Sequence, residues 1–175
     1  LEVLPVDSTK FARLVCCGKG AHIQCRDGIG DSTMSLKQKN TCIMCRAKHL
    51  PDKGAIKRVR AWVKKGKAWA QTFLAGAYLH GDYGLPQSYL MAVKLYGMAV
   101  KQGDPNAMFE LGRMYFKGQG VDQSYEKAAE LLKMAADCGH AGAQFNLGMM
   151  YFSGQGVDQS YEKAAELYKM AADQG

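Results

Sequence analysis

The residue types best suited to chemistry are crowded near the start of the chain. Five of its six cysteines, Cys16, Cys17, Cys25, Cys42 and Cys45, fall within a short span that also holds His22. Thiolates and an imidazole at close spacing can grip a soft divalent metal, form crosslinks, or fill a small core. Structural zinc takes four such ligands in a tetrahedron, usually delivered by tight turns of the form C-x2-C or its histidine equivalent. Cys42 and Cys45 make one such turn, His22 and Cys25 make a second, and Cys16-Cys17 stands just upstream. Clustered cysteines in a reducing compartment favour metal over disulfides. Zinc is therefore the expected cofactor. Its ligands are drawn from Cys16, Cys17, His22, Cys25, Cys42 and Cys45, with Cys16 open between ligation and packing. His49, four residues beyond Cys45, reads as a linker residue.

No other catalytic constellation accompanies these residues. The chain has no phosphate-cradling GxxxxGK(S/T), no GxSxG elbow and no HExxH. With 47% hydrophobic residues over 175 positions it can bury a real core. No apolar run is long enough to cross a bilayer and no signal-peptide pattern opens the chain, so no membrane partner is expected. A cytosolic or nuclear setting is favoured by the cysteine argument.

The elements that must position anything in this chain are internal repeats. GQGVDQSYEKAAELLKMAADCG, residues 118 to 139, returns as GQGVDQSYEKAAELYKMAADQG at 154 to 175, and AMFELGRMYFKGQG at 107 to 120 returns as AQFNLGMMYFSGQG at 143 to 156. A more divergent copy at 70 to 103 precedes them, with one extra residue in its turn, HGDYG, and Ala75 where the later copies have glycine. Apolar residues recur at helical spacing: Ala107, Leu111, Met114 and Tyr115 in the first half of a copy, Tyr125, Ala128, Ala129, Leu132 and Ala135 in the second. Gly112, Gly148, Ala128 and Ala164 are small enough to let helix axes approach, while Gly118, Gly120, Gly154 and Gly156 supply the turn between helices. The methionines at 98, 114, 134, 149, 150 and 170 share the helical spacing and read as core filling. Cys138, His80 and His140 fall at repeat turns and read as solvent-facing. A two-helix unit cannot bury its stripe alone. Neighbouring units must stack into a solenoid, expected to be right-handed with a concave groove that takes a partner protein or peptide.

The repeated pattern A-x3-LG-x2-Y-x2-GxGV-x2-SY-x-KA resembles the Sel-one-like repeat, a relative of the tetratricopeptide repeat, over about residues 67 to 175. The expected organisation is a partial zinc module at 1–50, a basic linker or capping helix at 51–66, and repeats at 67–104, 105–140 and 141–175. The resulting fold class is mostly α, a helical-repeat solenoid of the tetratricopeptide type behind a small N-terminal zinc module. The linker is strongly cationic: Arg46, Lys48, Lys53, Lys57, Arg58, Arg60, Lys64, Lys65 and Lys67 stand against Asp52 alone, a local balance of +8 in a chain whose net charge is +7. Nucleic-acid binding is the weaker reading of this charge, a solvated helix face the stronger one. Within it, Ile56, Val59 and Val63 mark one apolar face of an amphipathic helix.

The cysteine segment resembles a RING finger lacking its first knuckle, which on that reading lies before Leu1. Cys17-Gly18 takes the place of that family's Cys-Gly-His, His22 and Cys25 the next knuckle, and Cys42, Cys45 and Arg46 the last. Lys19 and Ile43 depart from the pattern. The resemblance implies a protein that recruits a ubiquitin-conjugating enzyme, with Arg46 contacting ubiquitin and the repeats selecting a substrate. A non-catalytic scaffold with purely structural zinc is the alternative, and the fragment by itself is not expected to be an enzyme.

Overall fold

The computed structural model describes residues 53 to 174, and every regular element among them is helical. The chain divides between Lys65 and Gly66 into two units. The described part of the first unit is α1 (Lys53–Lys64), with Ile56 and Val59 buried, Val63 half-buried and Lys57 and Lys64 exposed. This is the amphipathic face that the apolar spacing predicts.

The second unit holds three antiparallel hairpins. Each has a leading and a returning helix: α2 (Ala68–His80) with α3 (Tyr89–Val100), α4 (Pro105–Lys117) with α5 (Tyr125–Asp137), and α6 (Ala141–Ser153) with α7 (Tyr161–Ala172). The returning helix of one hairpin packs on the leading helix of the next, α3 on α4 and α5 on α6. One core therefore runs through the stack. Met108, Ala128, Ala129, Leu132, Ala135, Ala136, Ala143, Leu147 and Met150 form a single buried cluster that crosses from the second hairpin into the third.

The small residues do what their spacing foretells. A Cβ on Gly112 would lie 3.1 Å from Leu132 and 3.3 Å from the Ala128 carbonyl, and one on Gly148 would lie 2.9 Å from the Tyr168 ring. Paired helices are thus close enough that only hydrogen fits between them.

Each hairpin turn is locked by the same side chains. Gly81, Gly118 and Gly154 end the leading helices in the left-handed region, with φ of 75°, 67° and 70°. Ser88, Ser124 and Ser160 then cap the returning helices, their hydroxyls accepting from the backbone N–H of Met91, Lys127 and Lys163. The residue before each serine is a glutamine whose amide donates back to the end of the leading helix: Gln87 to the Leu79 carbonyl, Gln123 to that of Phe116 and Gln159 to that of Phe152, at 2.8 to 2.9 Å. These glutamines satisfy carbonyls that a helix end leaves without partners. The extra residue of the first turn is absorbed by a short 3-10 turn at Asp82–Gly84, where Tyr83 takes a positive φ of 58° and its ring lies 5.4 Å from that of Phe73.

Two sequence expectations need correcting. Met114 and Met150 are buried as expected, but Met98, Met134, Met149 and Met170 are 39%, 46%, 43% and 49% exposed. Helical spacing places residues in a row without saying which side the row faces. The second concerns His140, which is half-buried and caps α6: its Nδ1 accepts from the Ala143 N–H at 3.1 Å, and its ring stacks on Phe109 of the preceding hairpin at 4.5 Å. Burial holds its pKa below the ordinary imidazole range, against the pull of Glu110 and Asp104. His80 and Cys138 are exposed, as expected.

Candidate protein-interaction surface

The sequence-predicted zinc residues Cys16, Cys17, His22, Cys25, Cys42 and Cys45, together with Arg46, lie outside the described residues, as does His49. Among the described residues no three histidine, cysteine or acidic side chains cluster so as to hold a metal. No described helix is long and apolar enough to cross a membrane.

What the described residues do present is a surface whose residues differ from repeat to repeat over a framework of recurring buried positions. The third residue of the leading helices is alanine in all three copies, Ala70, Ala107 and Ala143, and the seventh is leucine, Leu74, Leu111 and Leu147; all six are buried. The fifth residue is Thr72, then Phe109, then Phe145. The sixth runs Phe73, Glu110, Asn146, and the ninth runs Gly76, Arg113, Met149. The returning helices behave otherwise. Between Tyr125–Asp137 and Tyr161–Asp173 the sole difference is Leu132 against Tyr168. Between the second and third copies, variety is thus concentrated on the leading helices, whereas α3 of the first copy also departs from α5, at Leu90, Met91, Val93, Lys94, Tyr96, Gly97 and Val100.

Three kinds of group occupy that face. Phe145, Met149 and Phe152 of α6 are exposed apolar side chains. On α4 the Arg113 guanidinium lies 3.3 Å from the Glu110 carboxylate and 5.5 Å from the Phe109 ring centre, so its charge is paired and its plane is held over an aromatic. At the junction of α2 and α4 the face is polar. The Thr72 hydroxyl donates to Asp104 at 2.8 Å, and Asp104 in turn caps α4 by accepting from the N–H of Asn106 and Ala107. Beneath Gly76 lies the hydroxyl of the buried Tyr96, its phenol held above the usual range first by burial and then by Glu110. The sequence signal for this feature was the displaced glycine: Ala75 takes the packing position that Gly112 and Gly148 hold in the other copies, and the glycine moves one residue on, to Gly76.

An array of stacked helical hairpins with recurring buried positions and a varied leading-helix face is a helical-repeat scaffold of the kind that engages other proteins. The Sel1 repeat profile matches residues 70–104, 105–140 and 141–175. The chain belongs to the Sel1 repeat family. It is similar to the crystal structure of a Sel1 repeat protein from Oxalobacter formigenes, at 32% identity over 68% of this chain and 90% of that one, with a TM-score of 0.65. It is also similar to a protective antigen of uropathogenic Escherichia coli with an SLR fold, at 30% identity over 75% of this chain and a TM-score of 0.68; the match spans 28% of that chain's length. Helicobacter pylori cysteine rich protein B shares the fold, at 19% identity over 70% of this chain and 90% of that one, with a TM-score of 0.56. Comparison with curated proteins returns no match.

Proposed function

We propose that this chain binds a partner protein through the face formed by its leading helices α2, α4 and α6. The observation that carries the reading is a contrast in internal variation: the buried third and seventh residues of these helices repeat in every copy, while the fifth, sixth and ninth change. Phe145, Met149 and Phe152 are exposed together on one helix of this face, although the returning helices expose apolar side chains too, Leu90, Met91 and Met98 on α3 among them. Aromatic and methionine side chains beside a paired arginine are the composition expected of an interface centre. Selection of peptides from a random phage-displayed library on the full chain tests this. Recovered peptides should lose affinity tenfold or more for a Phe145→Ser, Met149→Ser variant and keep it for a Met134→Ser, Met170→Ser variant. The opposite pattern sinks the reading.

The cysteine segment adds a second, separable proposal. Its donor set of thiolates and an imidazole suits zinc, and Cys17, Cys25, Cys42 and Cys45 with His22 are its proposed ligands, Cys16 being the alternate thiolate. The RING resemblance supports a ubiquitin-protein ligase in which Arg46 contacts ubiquitin and the repeats choose the substrate; the alternative is a scaffold in which zinc serves folding alone. Elemental analysis decides about metal: Cys42→Ser with Cys45→Ser should lower bound zinc. An autoubiquitination assay on a version extended before Leu1 separates ligase from scaffold, since the scaffold reading expects no ubiquitin transfer by a zinc-loaded protein.

A further inference from the structure

The Tyr96 hydroxyl is a polar group with nowhere to go. The residue is 2% exposed, yet among the described residues its phenol has no hydrogen-bond partner. A buried donor left unmade is costly, and folded proteins rarely keep one without a use. Packing does not demand a buried hydroxyl, because the equivalent eighth residue of α5 is Leu132, buried without one, and that of α7 is Tyr168, which is only half-buried. One way out of the core exists for this group. A Cβ on Gly76 would lie 3.4 Å from the Tyr96 oxygen and within 4 Å of no other atom that could block it, and Gly76 itself is partly exposed. Where α4 and α6 carry Arg113 and Met149, α2 therefore has a notch one side chain wide, with a phenol at its floor.

The surroundings restrict what can enter. Asp104, Glu110 and Arg113 all act on Tyr96 electrostatically. Two acids thus act on the phenol against one base, and the acids favour its protonated, hydrogen-bond-donating form. Asp104 is already occupied by Thr72 and by the first turn of α4, and Glu110 by Arg113. A carboxylate or phosphate would be repelled. A lysine or arginine would suit the charge but would leave the phenol proton without an acceptor, since neither side chain accepts a hydrogen bond. A carboxamide meets both conditions, with an oxygen to accept and an N–H2 that favours negative surroundings.

We infer that the notch over Gly76 receives an asparagine or glutamine side chain of the bound partner, its carbonyl oxygen accepting from the Tyr96 hydroxyl. This deepens the leading-helix reading and rests on it. Tyr96 is then a specificity residue, rejecting partners that present a charged or purely apolar side chain at this point, because the phenol would stay unpaired in their complexes.

Propionamide is the direct probe, followed through the Gly76 amide resonance of the isotope-labelled full chain. Saturable shifts with a Kd on the order of 10 mM, appropriate to so small a ligand, are expected. They should weaken at least tenfold in Tyr96→Phe and in Gly76→Ala, whose added methyl roofs the phenol at an ordinary contact distance. Propionate at equal concentration should give none. Tyr96→Phe should melt no lower than the parent, because it removes only an unpaired hydroxyl, and this keeps loss of binding distinct from loss of fold. Absence of a saturable shift would mean an ordered water only and overturns the inference, as does an equal response in Tyr96→Phe or a propionate response of the same size. Peptides selected on the full chain separate this from the parent reading. Binding that needs Phe145 and Met149 but ignores Tyr96→Phe sinks the notch and leaves the face standing, whereas binding lost only in the Met134, Met170 variant sinks the face as well.

Discussion

Gly156, in the turn of the third hairpin, lies flat against Tyr125, the first residue of the returning helix in the hairpin before it; a Cβ on the glycine would run into the Tyr125 carbonyl group. Gly120 stands in the same relation to Tyr89 one repeat earlier, where the added carbon would lie 2.7 Å from the tyrosine Cβ. Both glycines also have positive φ, 70° and 73°. The second glycine of GQG is therefore a contact between repeats as well as a turn residue. This distinguishes it from Gly139, which has positive φ and open space around it.

That difference predicts unequal costs for the same substitution. Gly139→Ala should destabilise by about 1 kcal/mol, the penalty of a left-handed alanine. Gly156→Ala adds a backbone collision and should cost about 3 kcal/mol. Urea denaturation of the two variants measures the gap, and equal midpoints would contradict the contact.

An amide pair with one buried member closes the first hairpin and another closes the third, and both partners are replaced in the second. Gln102 donates to Gln71 at 2.8 Å and Gln174 to Gln144 at 2.7 Å, while the matching residues of the middle repeat are Met108 and Cys138. Met108→Gln alone should destabilise by about 1 to 3 kcal/mol, since it buries an amide with no glutamine opposite. Adding Cys138→Gln should recover about 1 kcal/mol of that loss in a double-mutant cycle. Strict additivity would show that the glutamines do not interact in that setting.

His140 makes the cap of α6 sensitive to pH. Its folded pKa lies below the unfolded value because burial disfavours the imidazolium, and protonation of Nδ1 would break the bond from Ala143. The unfolded chain therefore takes up the proton more readily. The stabilisation is full above the unfolded value of about 6.5 and is lost as pH falls through the lower folded value. His140→Asn keeps an acceptor at the cap, as Asp104 does for α4, and should flatten the fall in melting temperature between pH 7 and pH 5 relative to the parent. An unchanged slope would place the sensitivity elsewhere.

Methionine oxidation reports which rows face outward. Mild peroxide should convert Met98, Met134, Met149 and Met170 before Met108, Met114 and Met150, because oxidation follows access. Residue-level mass spectrometry over time gives the order. Met149 and Met150 are the sharpest test, since they are neighbours in sequence and about 100° apart around one helix.

Much of this molecule could be read from its residues. A period of 36 residues, glycines between helical stripes and small residues at 112, 128, 148 and 164 determine hairpins that stack, because those features act locally or repeat at fixed distance. Other features depended on which side of a helix meets a neighbour. The exposed methionines, the histidine cap on Phe109, the turn glutamines that reach back to helix carbonyls, and the phenol beneath Gly76 all depend on contacts between hairpins or across a turn. Spacing alone assigns residues to rows. Only the packing of one hairpin on another decides which row is core, which is surface, and where a buried hydroxyl is left facing a gap.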